Sequence, residues 1–454
     1  MSGSPGVPDK DRRSHSRNGQ PAAQPWAAPR ANDPVRATIS LPGSKSITAR
    51  ALVLAGVSIG SSTLRHPLSA RDTILMANGL RALGTHISAI DDDLWVIRPR
   101  PLRGPAHVDV GLAGTVMRFL PPVAALADGS VAFDGDPRAR QRPLAPLIQA
   151  LRQIGVEIDD GGRGGLPLTV RGNGRVRGGQ ATIDASASSQ LISGLLLAAH
   201  DFDKGIVVRH EGLPVPSTPH ITMTVSMLRA VGAAVDDSAP DTWVVEPGRI
   251  TGRAWSIEPD LSNAAPFLAA ALVTGGTVTV ADWPARTAQP GDALKLLLTA
   301  MGGRCAMTPQ GLTVTGAGTI RGIDADLSAV SELVPALAAL AVLADSPSQL
   351  RGIGHMRGHE TDRLAALSRE LIKLGAKVSE LPDGLAITPQ PLRGAVFETY
   401  DDHRLATAAA IIGLAVDGVV LSDVACTSKT LPAFRSLWSR MLSGSMAPDS
   451  ESES

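Results

Sequence analysis

"LRALGTHI", residues 80–87, is an eight-residue phrase that occurs in five versions along the chain. It returns as "LRQIGVEI" from Leu151, "LRAVGAAV" from Leu228, "LTAMGGRC" from Leu298 and "LIKLGAKV" from Leu371. Successive starts lie 71, 77, 70 and 73 residues apart. Each copy reads as the last turn of a helix, a glycine just past its end, and an apolar strand.

A second phrase interleaves with the first: an Ala/Leu-rich helix, a short polar break and a β-rich run. Its six copies are "ALVLAGVSIGSSTL", "PPVAALADGSVAF", "SGLLLAAHDFDKGIVV", "FLAAALVTGGTVTV", "ALAALAVLADSPSQL" and "AAAIIGLAVDGVVL", with turn residues Gly60, Gly129, Gly205, Gly276, Ser346 and Gly418. Self-similarity at a fixed period means one supersecondary unit used repeatedly. A period near 70 residues is too long for the common solenoids and long enough for two helices and several strands. Six such units suggest an α/β chain of two domains, three units each. The helices are apolar on most faces, so they belong inside and the strands outside.

The 454 residues are 43% hydrophobic, enough for substantial cores, and only 3% aromatic, so Ala, Leu and Val must fill them. The 43 basic and 43 acidic residues balance, which argues against a nucleic-acid or membrane field. An anion must then be gripped by a local cluster. Cys305 and Cys426 make no disulfide frame or zinc site, and a cytoplasmic setting fits them. No apolar run approaches the roughly 18 residues of a membrane span. Residues 1–32 and 443–454 read as solvated, disordered tails, the second acidic.

Against this apolar background, polar islands fall on helix heads: "LPGSKSITAR" (41–50), "GLAGTVMR" (111–118), "SASSQ" (186–190), "GHETDR" (358–363) and "YDDHR" (400–404). Two loops add "GDPRARQRP" (135–143) and "CTSKT" (426–430). Helix N-termini offer free N–H groups and a positive dipole end, which suit phosphate and carboxylate. Lys45, Arg50, Arg138, Arg142, Arg363, Arg404 and Lys429 supply charge. Each island also has a plainer reading as a cap or a solvated turn, with Thr361 or His359 capping the helix after "GHETDR". Glu332 and Glu360 stand out, because an acid in an anion site repels the ligand unless it moves protons. The pair suggests one general base and one general acid.

These seven islands, in this order and spacing, resemble the motifs of the 5-enolpyruvylshikimate-3-phosphate synthase family, and the match runs from about Thr38 to Leu437. The resemblance implies an inside-out α/β barrel fold of two domains, each of three βαβαββ units, with the chain crossing between domains twice. Residues 33–42 plus 257–442 would form one domain and 43–256 the other. The implied reaction joins the 5-hydroxyl of shikimate 3-phosphate to phosphoenolpyruvate and expels phosphate, with no metal or organic cofactor, in a monomer.

Carried over residue by residue, Lys45, Ser46 and Arg50 would hold shikimate 3-phosphate, Lys45 reaching phosphoenolpyruvate too. Ser188, Ser189 and Ser217 would bind the shikimate phosphate, with Gln190 between the two substrates. Gly114, Arg138, Arg363, Arg404 and Lys429 would hold phosphoenolpyruvate. Glu332 would take the hydroxyl proton and Glu360 would protonate the methylene carbon. His359, beside shikimate 3-phosphate, and His403 join the catalytic set, His359 as a source of positive charge. The chain departs from the usual pattern at Leu112 (commonly Asn), His220 (commonly Tyr), Glu332 (commonly Asp) and His359 (commonly Lys).

The related transferase acting on UDP-N-acetylglucosamine is the nearest alternative, but "GDPRARQRP" lacks its cysteine acid. An RNA 3′-phosphate cyclase-like protein is a second, disfavoured by neutral charge and few aromatics.

Overall fold

All five phrase glycines take a left-handed backbone: φ is 107° at Gly84, 92° at Gly155, 95° at Gly232, 98° at Gly302 and 110° at Gly375. A side chain there would be strained, which is why glycine recurs. In every copy the residue after the glycine donates its N–H back to the carbonyl of the phrase's first leucine, as Thr85 does to Leu80 at 3.0 Å and Ala376 to Leu371 at 3.1 Å. This is a Schellman closure. The chain then leaves as a strand, for example His86–Ala89 or Lys377–Leu381. In the second phrase the expectation slips by one position, since Gly275 and not Gly276 adopts the left-handed turn.

The computed structural model describes residues 23–91 and 93–444. Its helices are α1 (Lys45–Gly56), α2 (Arg71–Ala82), α3 (Gly114–Ala124), α4 (Ala145–Gln153), α5 (Gln190–Ala199), α6 (Pro219–Ala230), α7 (Ala265–Thr274), α8 (Leu294–Ala300), α9 (Val334–Val342), α10 (Arg363–Lys373), α11 (His403–Gly413) and α12 (Phe434–Ser443). The odd-numbered helices through α11 carry the Ala/Leu-rich phrase. α3 and α5 are apolar and almost wholly buried. With α1 they pack on one another, and α7, α9 and α11 form a second such trio.

Five sheets share one grammar, a parallel pair at one edge followed by two antiparallel pairs. Ala106–Asp109 runs parallel to Asp128–Asp134, which pairs antiparallel with Leu168–Asn173, which pairs antiparallel with Glu157–Asp159. Two sheets are completed from far along the chain. Ala254–Ser256 joins Ser62–Arg65, and Arg36–Ile39 joins Thr277–Ala281, both parallel. The result is two separate hydrophobic cores, one enclosed by residues 49–257 and one by residues 28–39 with 261–441. The connecting segments lie side by side: Ser44 donates to the Glu258 carbonyl at 2.7 Å, and Asp260 to that of Pro42 at 2.9 Å.

The sixth sheet corrects the expected N-terminal tail. Val396–Phe397 pairs parallel with Val420–Leu421, and the third strand is Trp26–Ala27, antiparallel to Val420–Leu421. Trp26 also packs edge-on against Phe434, ring centroids 6.1 Å apart. A two-residue strand shows no periodicity in sequence, so residues 23–32 were indistinguishable from tail. Residues 1–22 and 445–454 of the expected tails lie outside the described residues. Among the described residues, no helix is long and apolar enough to cross a membrane, and none of the His, Cys, Asp and Glu side chains group to hold a metal.

Candidate active site

The heads of the central helices converge between the two cores. A cavity of about 60 Å³ there is lined by Lys45, Arg118, Arg142, Ser188, Gln190, Glu332, His359, Glu360, Arg363, His403 and Arg404, with Ala187 and Gly358. A larger cavity, about 890 Å³, lies over the connecting segments 38–43 and 256–259 and holds none of these groups. The concentration of charge marks the smaller one as the chemically relevant site.

Local structure explains the placement. Ser44 caps α1 and so aims Lys45 from its first turn. Asp402 caps α11 by accepting the Arg404 N–H at 2.9 Å, and it also receives Arg363 Nε at 2.7 Å and Nη2 at 3.2 Å. One buried carboxylate thus ties the heads of α10 and α11 together, a double role that "YDDHR" did not disclose. Asp362 caps α10, with its Oδ1 accepting from Ala365 at 3.0 Å, in place of the expected Thr361 or His359. Glu360 therefore belongs to the loop before α10 rather than to its first turn.

Glu360 is held from two sides: Lys429 Nζ is 2.6 Å from Oε1 and Arg363 Nη2 is 2.9 Å from Oε2. Burial alone would raise its pKa, but Lys429, Arg363 and Arg142 outweigh it and hold the carboxyl well below its ordinary value. Glu332, in a 3₁₀ turn Ser331–Leu333 leading into α9, is likewise kept ionised. Burial is opposed there by His220, Arg404 and Lys45.

The two histidines of the cavity are both held below their ordinary pKa. His359 is pushed well below its usual 6.5 by burial and then by Arg363. Arg363 Nη1 lies 3.0 Å from His359 Nδ1. Because arginine only donates, Nδ1 must be the acceptor, and the ring carries its proton on Nε2. Burial and the neighbouring guanidinium both work against the expected positive charge on His359. His403 is also held down, by burial and then by Arg404 and Lys429, and neither ring nitrogen has a partner.

The model of the EPSP synthase family, 3-phosphoshikimate 1-carboxyvinyltransferase, matches residues 29–438. The chain belongs to this family. Members act on shikimate 3-phosphate and phosphoenolpyruvate, and this chain is a carboxyvinyltransferase of that kind. Among solved structures, EPSP synthase from Acinetobacter baumannii superposes with a TM-score of 0.77 at 23% identity, over 92% of this chain and 98% of that one. The enolpyruvyl transferase NikO from Streptomyces tendae superposes at 0.71 with 15% identity, over the same shares. At such identities the likeness concerns the fold.

Most residues carried over from the family pattern do meet: Lys45, Ser188, Gln190, Glu332, His359, Glu360, Arg363, His403 and Arg404 share the cavity. Lys429 stands behind Glu360. Ser46 lines an adjoining space of about 10 Å³ with His220 and Glu332. Gly114 opens α3, where an added Cβ would come within 2.8 Å of Arg142 Nη2 and 2.9 Å of Gln190 Oε1. Ser189 is buried beside Ser188 without lining the cavity. Ser217, at φ 53°, joins the halves at the rim, donating its N–H to the Ser328 carbonyl at 2.8 Å.

Two arginines fall elsewhere. Arg50 is 1% exposed and points into helix packing, donating to Thr224 Oγ1 at 2.7 Å, Ser193 Oγ at 3.3 Å and the carbonyls of Ser46 and His220 at 3.0 Å. Burial lowers its pKa to about 9, with Glu332 pulling the other way. Arg138 spans the rim, donating Nε to the Glu360 carbonyl at 3.1 Å and Nη2 to that of His359 at 3.4 Å. The cavity receives Arg118 and Arg142 instead. Arg118 Nη1 donates to Gln190 Oε1 at 2.9 Å, Arg142 Nη1 to the Leu112 carbonyl at 3.0 Å, and both Nε atoms are buried without a partner. The signal for Arg118 was present: it lies one helical turn after Gly114, on the same face as the helix head.

Proposed function

We propose that this cavity is where enolpyruvyl passes from phosphoenolpyruvate to the 5-hydroxyl of shikimate 3-phosphate, by addition and elimination through a tetrahedral intermediate. The observation that carries the reading is the charge of the lining, five cations against two carboxylates. Two dianionic or trianionic substrates need such a wall, and the two acids have separable tasks.

Glu332, ionised, is the base for the hydroxyl proton. Glu360 is the acid for the methylene carbon, and here its low pKa has a use. An incoming phosphate and carboxylate compete for Lys429 and Arg363. As those cations turn to the ligand, Glu360 loses its counter-charges and takes up a proton. Lys45, Gln190, Arg404, Arg118 and Arg142 hold the anions. Gly114 keeps the wall close by having no side chain, and Arg138 and Ser217 clasp the rim.

Each half is read as an inside-out barrel of three βαβαββ units. Residues 43–256 make one domain and 33–42 with 257–442 the other, in a monomeric cytoplasmic enzyme. Phosphate release tests the central reading: it should need both shikimate 3-phosphate and phosphoenolpyruvate. Release with phosphoenolpyruvate alone, or with UDP-N-acetylglucosamine in place of shikimate 3-phosphate, would overturn it.

A further inference from the structure

Glu332 and His220 meet across the cleft. His220 stands in the first turn of α6, on one core, and Glu332 heads α9, on the other. His220 Nε2 is 3.5 Å from Glu332 Oε1. The approach is held on both sides: Ser217 N–H donates to the Ser328 carbonyl at 2.8 Å, and Ser217 Oγ lies 3.3 Å from Ser331 Oγ. The His220 carbonyl accepts from Arg50 Nη2 at 3.0 Å and Thr224 Oγ1 at 2.9 Å. Ser217 adopts a φ of 53°, a conformation non-glycine residues occupy only when surrounding contacts impose it.

We propose that His220 is a positioning residue for Glu332, contributed by the opposite half, so that the base is fully assembled only when the halves are together. This rests on the functional reading above. His220 is 7% exposed, and burial keeps its ring neutral against the pull of Glu332. A carboxylate only accepts, so the nitrogen facing it carries the proton. At 3.5 Å the contact is longer than a normal hydrogen bond, and an Nε2–H on that side still favours the carboxylate and lowers the proton affinity of Glu332. With the halves apart, Glu332 loses that donor, and proton abstraction is tied to closure.

The other charged groups acting on the pair are Lys45 and Arg50 from α1, Asp260 before α7, His355 in the 3₁₀ turn Gly354–Gly358, Arg363 at the head of α10, and Arg404 on α11. They are unchanged in the variants below.

The test is the pH profile of kcat for the full chain and for His220→Ala and His220→Gln. The alanine variant should move the acid limb upward by about one unit, a tenfold loss of kcat below the limb, with little change in KM for shikimate 3-phosphate. The glutamine variant places an amide N–H at the reach of Nε2 and should restore the limb. An unmoved limb in a folded His220→Ala, or a limb moved equally in both variants, overturns the proposal. The wild-type chain gives a second readout if the alanine variant fails to fold. Its nitrogen NMR spectrum at pH 7, assigned by the signal lost in His220→Gln, should show a neutral Nε2–H ring, and a cationic ring or Nδ1–H tautomer overturns the idea. If wild-type protein releases no phosphate with both substrates, the functional reading fails instead, and the NMR result stands separately.

Discussion

The two walls of the cavity are built on opposite plans. The wall from the first core presents Lys45, Arg118, Arg142, Ser188 and Gln190, with no carboxylate. The wall from the second presents both acids and their counter-cations, Arg363 bound to Asp402 and Glu360, and Lys429 bound to Glu360. Arg118 and Arg142 have no carboxylate in hydrogen-bond contact, and burial, then Arg142, lowers the Arg118 pKa well below its ordinary value. One wall carries two guanidinium groups without a carboxylate partner, beside Lys45, whose Nζ lies 3.6 Å from Asp72 Oδ2. The other is an internally neutralised network that an anion must rearrange. The difference teaches that the carboxylates of the cavity lining all come from one half, while cations come from both.

The largest effect should come from breaking the second wall. Glu360→Gln keeps size and hydrogen bonding but removes the proton, and turnover should fall roughly 10²–10⁴-fold. Binding of shikimate 3-phosphate, measured by calorimetry, should barely change. Normal turnover in this variant would assign the acid role elsewhere.

The first wall is tested by Arg118→Met. A buried cation without a carboxylate partner is costly to the fold, so the ligand-free variant should melt higher than wild type. Its KM for anionic substrate should rise about 10- to 100-fold, the size of a lost charge-assisted contact. A variant that melts lower with unchanged KM would make Arg118 structural.

The third comparison concerns acid. His200, His220, His355, His359 and His403 all have pKa values lowered by burial, His355 to about 4. The unfolded chain binds these protons below the usual 6.5 and the folded chain does not, so stability falls as pH drops below about 6.5. The slope is about 1.4 kcal/mol per pH unit for each histidine. The ionised acids Glu332 and Glu360 add to acid loss only nearer 4.5, so the window between 6.5 and 4.5 belongs to the histidines. Melting temperature against pH should show it, and His355→Gln with His359→Gln should reduce the slope, since they remove two of the five rings.

The smallest effect is expected at the sixth sheet. Trp26→Ala should cost about 1–2 kcal/mol, because the ring is only half-buried. Removing residues 1–22 is expected to leave melting unchanged, and comparing the two melts isolates the contribution of Trp26.

How far the molecule was legible follows from the physics of each signal. Gly84, Gly155, Gly232, Gly302 and Gly375 announce their helix ends because a left-handed backbone leaves few alternatives. Repetition then shows the six units. The polar islands were visible as exceptions to an apolar pattern. Orientation was not: Arg50 and Arg118 are both buried arginines on central helices, yet one faces Thr224 and the other the cavity. Helix phase and neighbouring contacts decide that, and residue type does not. Protonation was hidden for a similar reason, since nothing in "GHETDR" says that Arg363 would fold back on His359. Trp26–Ala27 was missed because its meaning depends on Leu421, almost the whole chain away.

That pairing also orders events during synthesis. The first core is complete once Ile257 has emerged, and it can fold while the rest is still being made. The second cannot. Its opening strands, Trp26–Ala27 and Arg36–Ile39, are made first, yet their partners lie at Val420–Leu421 and Thr277–Ala281. At ribosomal rates, roughly eight to thirty seconds separate the finished first core from the last strand of the second. Throughout that interval Trp26–Ala27 is an unpaired edge carried beside a folded body. The first core is therefore a nested insertion that holds the two flanking segments of its host near each other, so that the pairing of Arg36–Ile39 with Thr277–Ala281 becomes a local closure.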